Sequence, residues 1–583
     1  MNWCKSHFDY LVLIGSLIIA SVTRIALPFQ LVFNKGTVVF NSIDAYYQLR
    51  FADLIATHYP RMDFIDVYTN MRVGDTPFFN LLLVWLSKIF GNLDVVAAYL
   101  PAILGILTLI PIFIIATKLF NNKWITSLAV LLAAILPGEF LNRTQLGAAD
   151  YHCLEIFLTT TMMMFVVLGL TAKNQWHKIS FGILAVGTFL LYFYTWRGNL
   201  VFIAIMAVFL YIWFGFRWAK EHPSIKHNVI LHSLVLVVAI GHICFTEIGR
   251  LVGMFAWGTG SLSSEELPLL LSLSSAGDFV DLRIAWGYFG FGFFLFLVGL
   301  GMVAYRIIKY RQSPEMLLLA WSIVMFGLTL AMRRWTYYFA VNVAILSAYS
   351  CFVIGSALAV KERAIKIRAF SLCIAFLVLL ILVPLGRNSV AMVRNPANYM
   401  SQDWQEATQW LHNEMTPGQD AEYYEKHAST RVVPLVLSWW DYGYWIVRES
   451  HMRTVSHSGA TLGRELGATL FLNDNTEEVV CQLQEMGVKY VVVDNLMVAE
   501  KFYAIVVYAQ LDLDDYYVYE GLELQRTPKY WGTFLSQLYY FNAREIDGIE
   551  LVFPVERSGF TMGYEYYVKW VPPSGVKIFE VVE

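Results

Sequence analysis

The sequence predicts a polytopic α-helical membrane protein with a mixed α/β domain at its C-terminal end, held outside the bilayer. Three observations predict this. Hydrophobic residues make up 57% of the 583 and charged residues only 15%, where a soluble chain has about 25% charged. Apolar runs long enough to span a bilayer, about 17–25 residues each, recur up to residue 386 and then stop. Basic residues gather in every second loop between those runs, as the bias of cytoplasmic loops requires.

In chain order the runs read 10–30, 97–119, 124–139, 153–171, 179–196, 198–215, 228–246, 284–305, 315–332, 336–358 and 367–386, eleven in all. The stretches 79–91 and 246–258 are ambiguous. Asp9-Tyr10 leads directly into the first run, with no small-residue cleavage site of the signal-peptide kind. With the N-terminus cytoplasmic, the inner loops hold Lys118 and Lys123; Lys173 and Lys178; Arg217, Lys220 and Lys226; Arg306, Lys309 and Arg311; and Lys361, Arg363, Lys366 and Arg368. An odd number of spans then puts residues 390–583 outside, and two further spans before residue 284 leave that parity unchanged. The expected organisation is a transmembrane domain over 1–389, with outer loops at 31–95, 140–152 and 259–283, followed by an outer domain over 390–583. That domain alternates strand-like runs (489–493) with helix-like ones (477–486).

A net charge of −3 gives no basic field and argues against nucleic acid as a partner. The six cysteines are scattered and form no CxxC pair, which supports neither a disulfide framework nor a zinc knuckle.

The ionisable residues on the outer face are the candidates for chemistry, because such groups at a membrane are costly to keep. Asp44 follows the first span beside Tyr46 and Tyr47; a helix-capping role accounts for it equally well. Asp150 and His152 stand at the mouth of a span and can offer an oxygen and an imidazole to a divalent metal; a capping aspartate and an interfacial histidine fit the same stretch. Arg143, upstream, can steady a carboxylate or a phosphate. Glu265 and Glu266 lie in a serine-rich loop next to Pro268 that by itself reads as a solvated loop. Arg333 and Arg334 end a span on the outer side, against the positive-inside trend, and call for an anion. Asp494, Met497, Lys501 and Ile505 fall on one face if 494–505 is helical. Last comes SWWDYGYWI, 438–446: three tryptophans and two tyrosines around Asp441, a carboxylate that a hydrophobic core would not choose.

Trp439-Trp440-Asp441-Tyr442-Gly443 is a WWDYG sequence, and over essentially its whole length the chain resembles the catalytic subunits of asparagine-linked oligosaccharyltransferases, closest to the single-subunit bacterial and archaeal enzymes of the PglB and AglB types. The resemblance implies a GT-C-type glycosyltransferase with about 11–13 spans. It implies that a glycan is moved en bloc from a polyprenyl-pyrophosphate carrier to the asparagine of an N-x-S/T sequon. Residue by residue, Asp44 matches the acid of the first external loop, and Asp150-Tyr151-His152 matches the D-x-D/D-x-H metal motif. Glu265, with Pro268 three residues later, matches the acid of the fifth external loop, with Glu266 as the alternative. Arg334 resembles the arginine that holds the donor pyrophosphate, joined by Tyr444. Asp494, Met497 and Lys501, with Ile505, resemble the second acceptor motif. Asp44 and Glu265 are then expected to hold the acceptor amide, helped by Arg143. Asp44, Asp150, His152 and Glu265 would bind Mn2+ or Mg2+, and Trp439, Trp440 and Asp441 would grip the sequon hydroxyl, with Met497 on the threonine methyl.

The expected partners are a lipid-linked oligosaccharide, a sequon-bearing protein and the lipid bilayer. A single subunit working at the periplasmic face of an inner membrane is the expected setting. A protein O-mannosyltransferase also carries acids in its first external loop but lacks a WWDYG in an outer domain. A transporter would place its ionisable residues near the midplane within internal repeats, and neither is seen here.

Overall fold

The structure is a computed structural model of the full chain. It describes residues 8–34, 36–60, 64–69, 71–73, 78–196, 200–221, 280, 282–358, 379, 381–396, 399–416, 419, 423, 433–459, 461–520, 523–553 and 575–582. They form two compact units, Met1–Asn41 with Thr76–Ala397, and Ser42–Asp75 with Asn398–Glu583.

The first unit is helical. Among the described residues eight helices are long and apolar enough to cross a membrane: Phe8–Val32, Leu93–Phe120, His152–Thr171, Gln175–Thr195, Val201–Trp218, Phe291–Tyr310, Ser313–Ala331 and Arg333–Ala357. Each coincides with a run read from the sequence. The predicted span 228–246 and the ambiguous 246–258 lie outside the described residues, as does most of 367–386. The predicted 124–139 is shorter in the structure, a helix over Lys123–Ile135. Leu136 already has φ −61° and ψ 121°, because the ring of Pro137 disfavours helical backbone in the residue before it. The ambiguous 79–91 is a helix, Phe78–Phe90, of 13 residues. At about 1.5 Å per residue that falls short of a hydrocarbon core about 30 Å thick. The run 284–305 breaks into Leu282–Phe289 and Phe291–Tyr310, with Gly290 at φ 51° between them. That left-handed conformation is open to glycine at little cost.

Helix N-termini follow side-chain caps. Asn92 accepts from the N–H groups of Asp94 and Val95, Asn122 from those of Trp124 and Ile125, and Asn174 from that of Trp176. Each satisfies donors that the helix itself leaves unpaired.

The second unit is built on a five-stranded sheet. Its strands are β1 (Leu435–Leu437), β2 (Arg453–Thr454), β3 (Val488–Val493), β4 (Ile549–Phe553) and β5 (Lys577–Val581), in the order β4-β5-β3-β1-β2. The pairs β1–β2 and β1–β3 are parallel; β3–β5 and β4–β5 are antiparallel. Central β3 reads Val-Lys-Tyr-Val-Val-Val and is buried except at Lys489, the continuous apolar run of a strand covered on both faces.

Residues 42–75, which the sequence reading places in a loop of the membrane part, cluster with this sheet domain instead. They form the helix Ile43–His58 and a hairpin, Phe64–Asp66 with Met71–Val73. Arg50 explains the grouping. It is fully buried, its Nε and Nη2 donate to Asp66 at 3.1 and 2.7 Å, and its Nη1 donates to the carbonyl of Tyr423 at 2.7 Å. Its guanidinium lies 3.9 Å from the Tyr423 ring centroid and 4.8 Å from that of Tyr68. Thr69 Oγ1 and the Tyr68 N–H complete the shell of the Asp66 carboxylate. A charge this deep is tolerable only when paired and fully hydrogen-bonded.

Candidate active site

In the first unit the site begins with a strapped loop. Arg24, in the first long helix, is wholly buried; its Nη1 donates to Ala134 O at 2.8 Å and its Nε to Thr144 Oγ1 at 3.2 Å. Its own carbonyl accepts from the Leu146 N–H, while Gly147 N–H donates to Ala98 O. Asn41 Nδ2 donates to Leu146 O. The segment running up to Asp150 is thereby fixed by side chain and backbone on both sides.

At the end of that segment Asp150 and His152 are buried. His152 Nε2 stands 3.2 Å from Asp150 Oδ2, and its Nδ1 stands 2.8 Å from Glu155 Oε2. Arg143 reaches toward the same Asp150 oxygen, with Nη1 at 3.6 Å. Its Nε lies 3.2 Å from Glu139, whose other oxygen meets Arg333 at 3.3 Å and accepts from Tyr288 at 3.2 Å. Arg334 lies over the Trp196 ring at 4.7 Å, with Nη2 3.5 Å from Tyr151 Oη. The structure therefore joins Arg143, Asp150 and His152 in one network, with Arg334 alongside through Tyr151.

Sequence reasoning missed Glu139, Glu155 and Tyr337 here. The two acids were within reach, since Glu139 lies four residues before Arg143 and Glu155 three after His152, the spacings at which helical side chains meet. No signal links Tyr337 to His152 across the chain.

Among the described residues no group of three His, Cys, Asp or Glu is poised to hold a metal ion. The Asp150–His152 pair does fit as two donors of a larger set: with Nδ1 taken by Glu155, the Nε2 nitrogen is the one beside Asp150, and an oxygen with an imidazole suits a divalent cation. Glu265 and Glu266 lie outside the described residues.

In the second unit Asp44 is exposed in the first turn of Ile43–His58. Ser42, with φ −141° and ψ 135°, occupies the capping position, so Asp44 is not the cap. The helix packs against the chain just after the WWDYG stretch, with Tyr46 edge-on to Trp445 at 6.3 Å and Tyr47 edge-on to Tyr444 at 5.0 Å.

WWDYG itself leaves the end of β1 as a single tight turn, Trp440–Tyr442. Ser438 Oγ donates to Val492 O at 2.8 Å and Ser456 Oγ to Ser438 O at 2.6 Å, which pins the turn to the sheet. The glycine of the motif is steric: a Cβ on Gly443 would stand 2.7 Å from His457 Cβ and closer still to Ser456 O. Trp439 is buried against Tyr508, and Trp440 is half-buried beneath Arg464. Asp441 is half-buried and ion-paired with Lys501, whose ammonium also lies 4.4 Å from the Tyr442 ring centroid.

The 494–505 stretch is not one helix. Residues 495–501 are turns, and the helix begins at Phe502. Asp494 causes this: Oδ1 accepts the Met497 N–H at 2.9 Å, a local bond that competes with helix formation. Its Oδ2 accepts from Trp404 Nε1 at 2.9 Å, and burial pushes the Asp494 carboxyl above the usual range. Met497 and Ile505 are fully buried. Lys501 reaches Asp441 of the motif, and Asp494 reaches its Tyr442. Tyr444 is enclosed between Tyr47 and His457 inside this unit.

His457 underlies the motif. Its Nε2–H donates to Thr69 O at 2.8 Å, and its Nδ1 accepts from the Gly459 N–H at 3.1 Å. Burial lowers its pKa to about 4, so the folded chain holds it neutral while the unfolded chain takes up a proton near the ordinary value of 6.5. The unfolded state binds more protons between those values, and stability is lost as pH falls from 6.5 toward 4, by about 3 kcal/mol in full. Acid unfolding of the second unit followed by tryptophan fluorescence should show this slope, and His457→Gln should flatten it. An unchanged slope in the variant would place the titrating group elsewhere.

Residues 14–263 match the family described as oligosaccharyl transferase STT3, N-terminal, and residues 401–498 match the AglB core domain. A curated relative, dolichyl-phosphooligosaccharide-protein glycotransferase 3 of Archaeoglobus fulgidus, is 25% identical over 635 aligned positions, covering 88% of this chain and 72% of the relative. The fold is shared with an A. fulgidus oligosaccharyltransferase solved with a tethered acceptor peptide containing the NVT sequon (TM-score 0.76, 22% identity, 100% of this chain and 89% of that one). It is also shared with an A. fulgidus oligosaccharyltransferase solved in complex with Zn and sulfate (TM-score 0.69, 22% identity, 93% and 78%). Helices of spanning length, the two matched segments and these relatives agree: the chain is a multi-pass membrane glycosyltransferase and belongs to the STT3/AglB family of oligosaccharyltransferase catalytic subunits.

Proposed function

We propose that this enzyme moves an oligosaccharide en bloc from a polyprenyl-pyrophosphate carrier to the side-chain amide of asparagine in N-x-S/T sequons, with Mn2+ or Mg2+ as cofactor. The observation that carries the reading is the network of Asp150, His152 and Arg143 at the mouth of a span, with Arg334 alongside, in a chain whose relative is named for dolichyl-phosphooligosaccharide-protein transfer. The relatives solved with an NVT peptide and with zinc support the acceptor and the metal. The chain works as a single subunit, with its acceptor-binding domain over 390–583 on the outer, periplasmic-type side of the membrane that 1–389 spans.

The chemical difficulty is the amide nitrogen, whose lone pair is delocalised into the carbonyl. Asp44 and Glu265, accepting the two amide N–H bonds, hold and polarise that nitrogen. The nitrogen bonds to the anomeric carbon, the bond from that carbon to the carrier phosphate breaks with its electron pair leaving on the phosphate, and the amide proton passes to a carboxylate. Arg334, buried beside Trp196, supplies fixed positive charge to the leaving phosphate, and Arg143 steadies Asp150. Asp150 and His152, with Asp44 and Glu265, would hold the divalent cation, which when bound neutralises the leaving group as a Lewis acid. Asp441 accepts the hydroxyl of the sequon Ser/Thr, Trp439 and Trp440 wall its pocket, and Met497 meets the threonine methyl. Asp494 and Ile505 hold Met497 and Lys501 in place from inside the domain.

The test is transfer from a lipid-linked oligosaccharide to a sequon-bearing protein by the solubilised chain. Modification of N-x-T but not N-x-A is expected. Excess chelator should stop the reaction and added Mn2+ or Mg2+ restore it. Full turnover in chelator would remove the metal from the reading; no transfer with a competent donor would remove the reading itself.

A further inference from the structure

We infer that Glu155 and Tyr337 are positioning residues that set the tautomer of His152 and aim its Nε2 lone pair at the cation shared with Asp150; this rests on the metal reading above. Neither residue belongs to the sequence motifs. Glu155 is fully buried on the helix that His152 opens, one turn further in, and Tyr337 is fully buried on another helix of the same unit. Glu155 Oε2 receives two contacts at 2.8 Å, from His152 Nδ1 and from the Tyr337 hydroxyl. Tyr337 Oη also stands 3.3 Å from Nδ1, and its ring lies 5.3 Å from the imidazole. The hydroxyl thus fixes the carboxylate from one side while the imidazole leans on it from the other.

Tyr337 already donates to this oxygen, and an ionised carboxylate only accepts, so with Glu155 ionised Nδ1 is the nitrogen that carries the hydrogen. In the neutral ring Nε2 then has only its lone pair, and it faces Asp150 Oδ2 at 3.2 Å. Two acceptors at that separation repel; Arg143, 3.6 Å from the same Asp150 oxygen, relieves part of that repulsion, and a divalent cation against both atoms would relieve it in full. A carboxylate behind a histidine, itself held by a further hydrogen bond, is the arrangement that orients imidazole for metal and raises its basicity. Burial of Glu155 away from water keeps it from being satisfied by solvent, and Arg334 offsets part of the cost of a charge there.

The experiment is equilibrium Mn2+ binding to the solubilised full chain without donor or acceptor, read by the free-Mn2+ electron paramagnetic resonance signal. Glu155→Leu should weaken binding about 10–100-fold. Glu155→Gln, which keeps a carbonyl oxygen for Nδ1–H, should lose less than about tenfold. The discriminating comparison repeats Glu155→Leu on a His152→Asp background: a carboxylate has no tautomer to set, so the second substitution should cost no more than about twofold there. If Glu155→Leu does not fold, Tyr337→Phe carries the same comparison. Equal losses on both backgrounds would make Glu155 a packing residue and overturn the inference, as would unchanged Mn2+ affinity in Glu155→Leu. Absence of Mn2+ binding by the unaltered chain would overturn the metal reading first and this inference with it.

Discussion

Asp44→Ala and Glu265→Ala are each expected to lower turnover roughly 10²–10³-fold, the loss that follows removal of one preorganised electrostatic contact, and the double variant should be close to inactive. For Asp44 the helix-dipole contribution is too small to account for such a loss. A carboxylate in the first turn of a helix is worth about 0.3–1 kcal/mol through the helix dipole, whereas the predicted rate loss corresponds to about 2.7–4 kcal/mol. Ser42 already holds the capping position, so the substitution leaves the helix start intact. The measurement is single-turnover transfer at saturating donor, with thermal unfolding as the control for folding. Glu266→Ala should retain activity. An inactive Glu266→Ala beside an active Glu265→Ala would shift the loop assignment by one residue; activity in both, or an Asp44→Ala enzyme within tenfold of the parent, would end the amide-holding role.

Asp441→Ala is expected to raise the KM for acceptor peptide at least about tenfold and leave the KM for lipid donor unchanged. It should also collapse the discrimination between N-x-T and N-x-A peptides. A site built to hydrogen-bond a hydroxyl rejects the analogue lacking it by about 10⁴–10⁵, and Asp441 is the half-buried carboxylate of the motif. Part of the loss will come from Lys501, left without its carboxylate partner. Lys501→Met, alone and combined with Asp441→Ala, separates that contribution through a double-mutant cycle. If Asp441→Ala binds acceptor as the parent does and still rejects N-x-A, the motif serves packing alone.

The helices of spanning length were legible because crossing lipid is a local demand: the backbone must satisfy its own hydrogen bonds and the side chains must be apolar over about 20 residues. WWDYG was legible because a carboxylate ringed by indoles and phenols has no place in a core, and the structure adds why its fourth and fifth residues are what they are. Tyr442 packs against Trp404 and Trp445, and Gly443 has Ser456 and His457 where a side chain would go. Asp150 and His152 were legible as candidates at a span mouth, and the structure brings them within 3.2 Å of each other.

Local pattern failed where a single residue overrode it. Pro137 ends a helix that apolar composition would have carried on, and the Asp494 side chain turns a stretch whose spacing fitted a helix face. It gave nothing where partners are distant in the chain. Glu139 meets Arg333, Glu155 meets Tyr337, and Arg50 draws 42–75 into the sheet domain through Asp66 and Tyr423. The sequence by itself determined the elements, the membrane class and which residue types could do the chemistry, because hydrophobic period and motif composition are written in neighbouring residues. Only the tertiary structure decided which charges neutralise which, since a buried ion settles on whichever partner folding brings to its own depth, and that partner can lie hundreds of residues away.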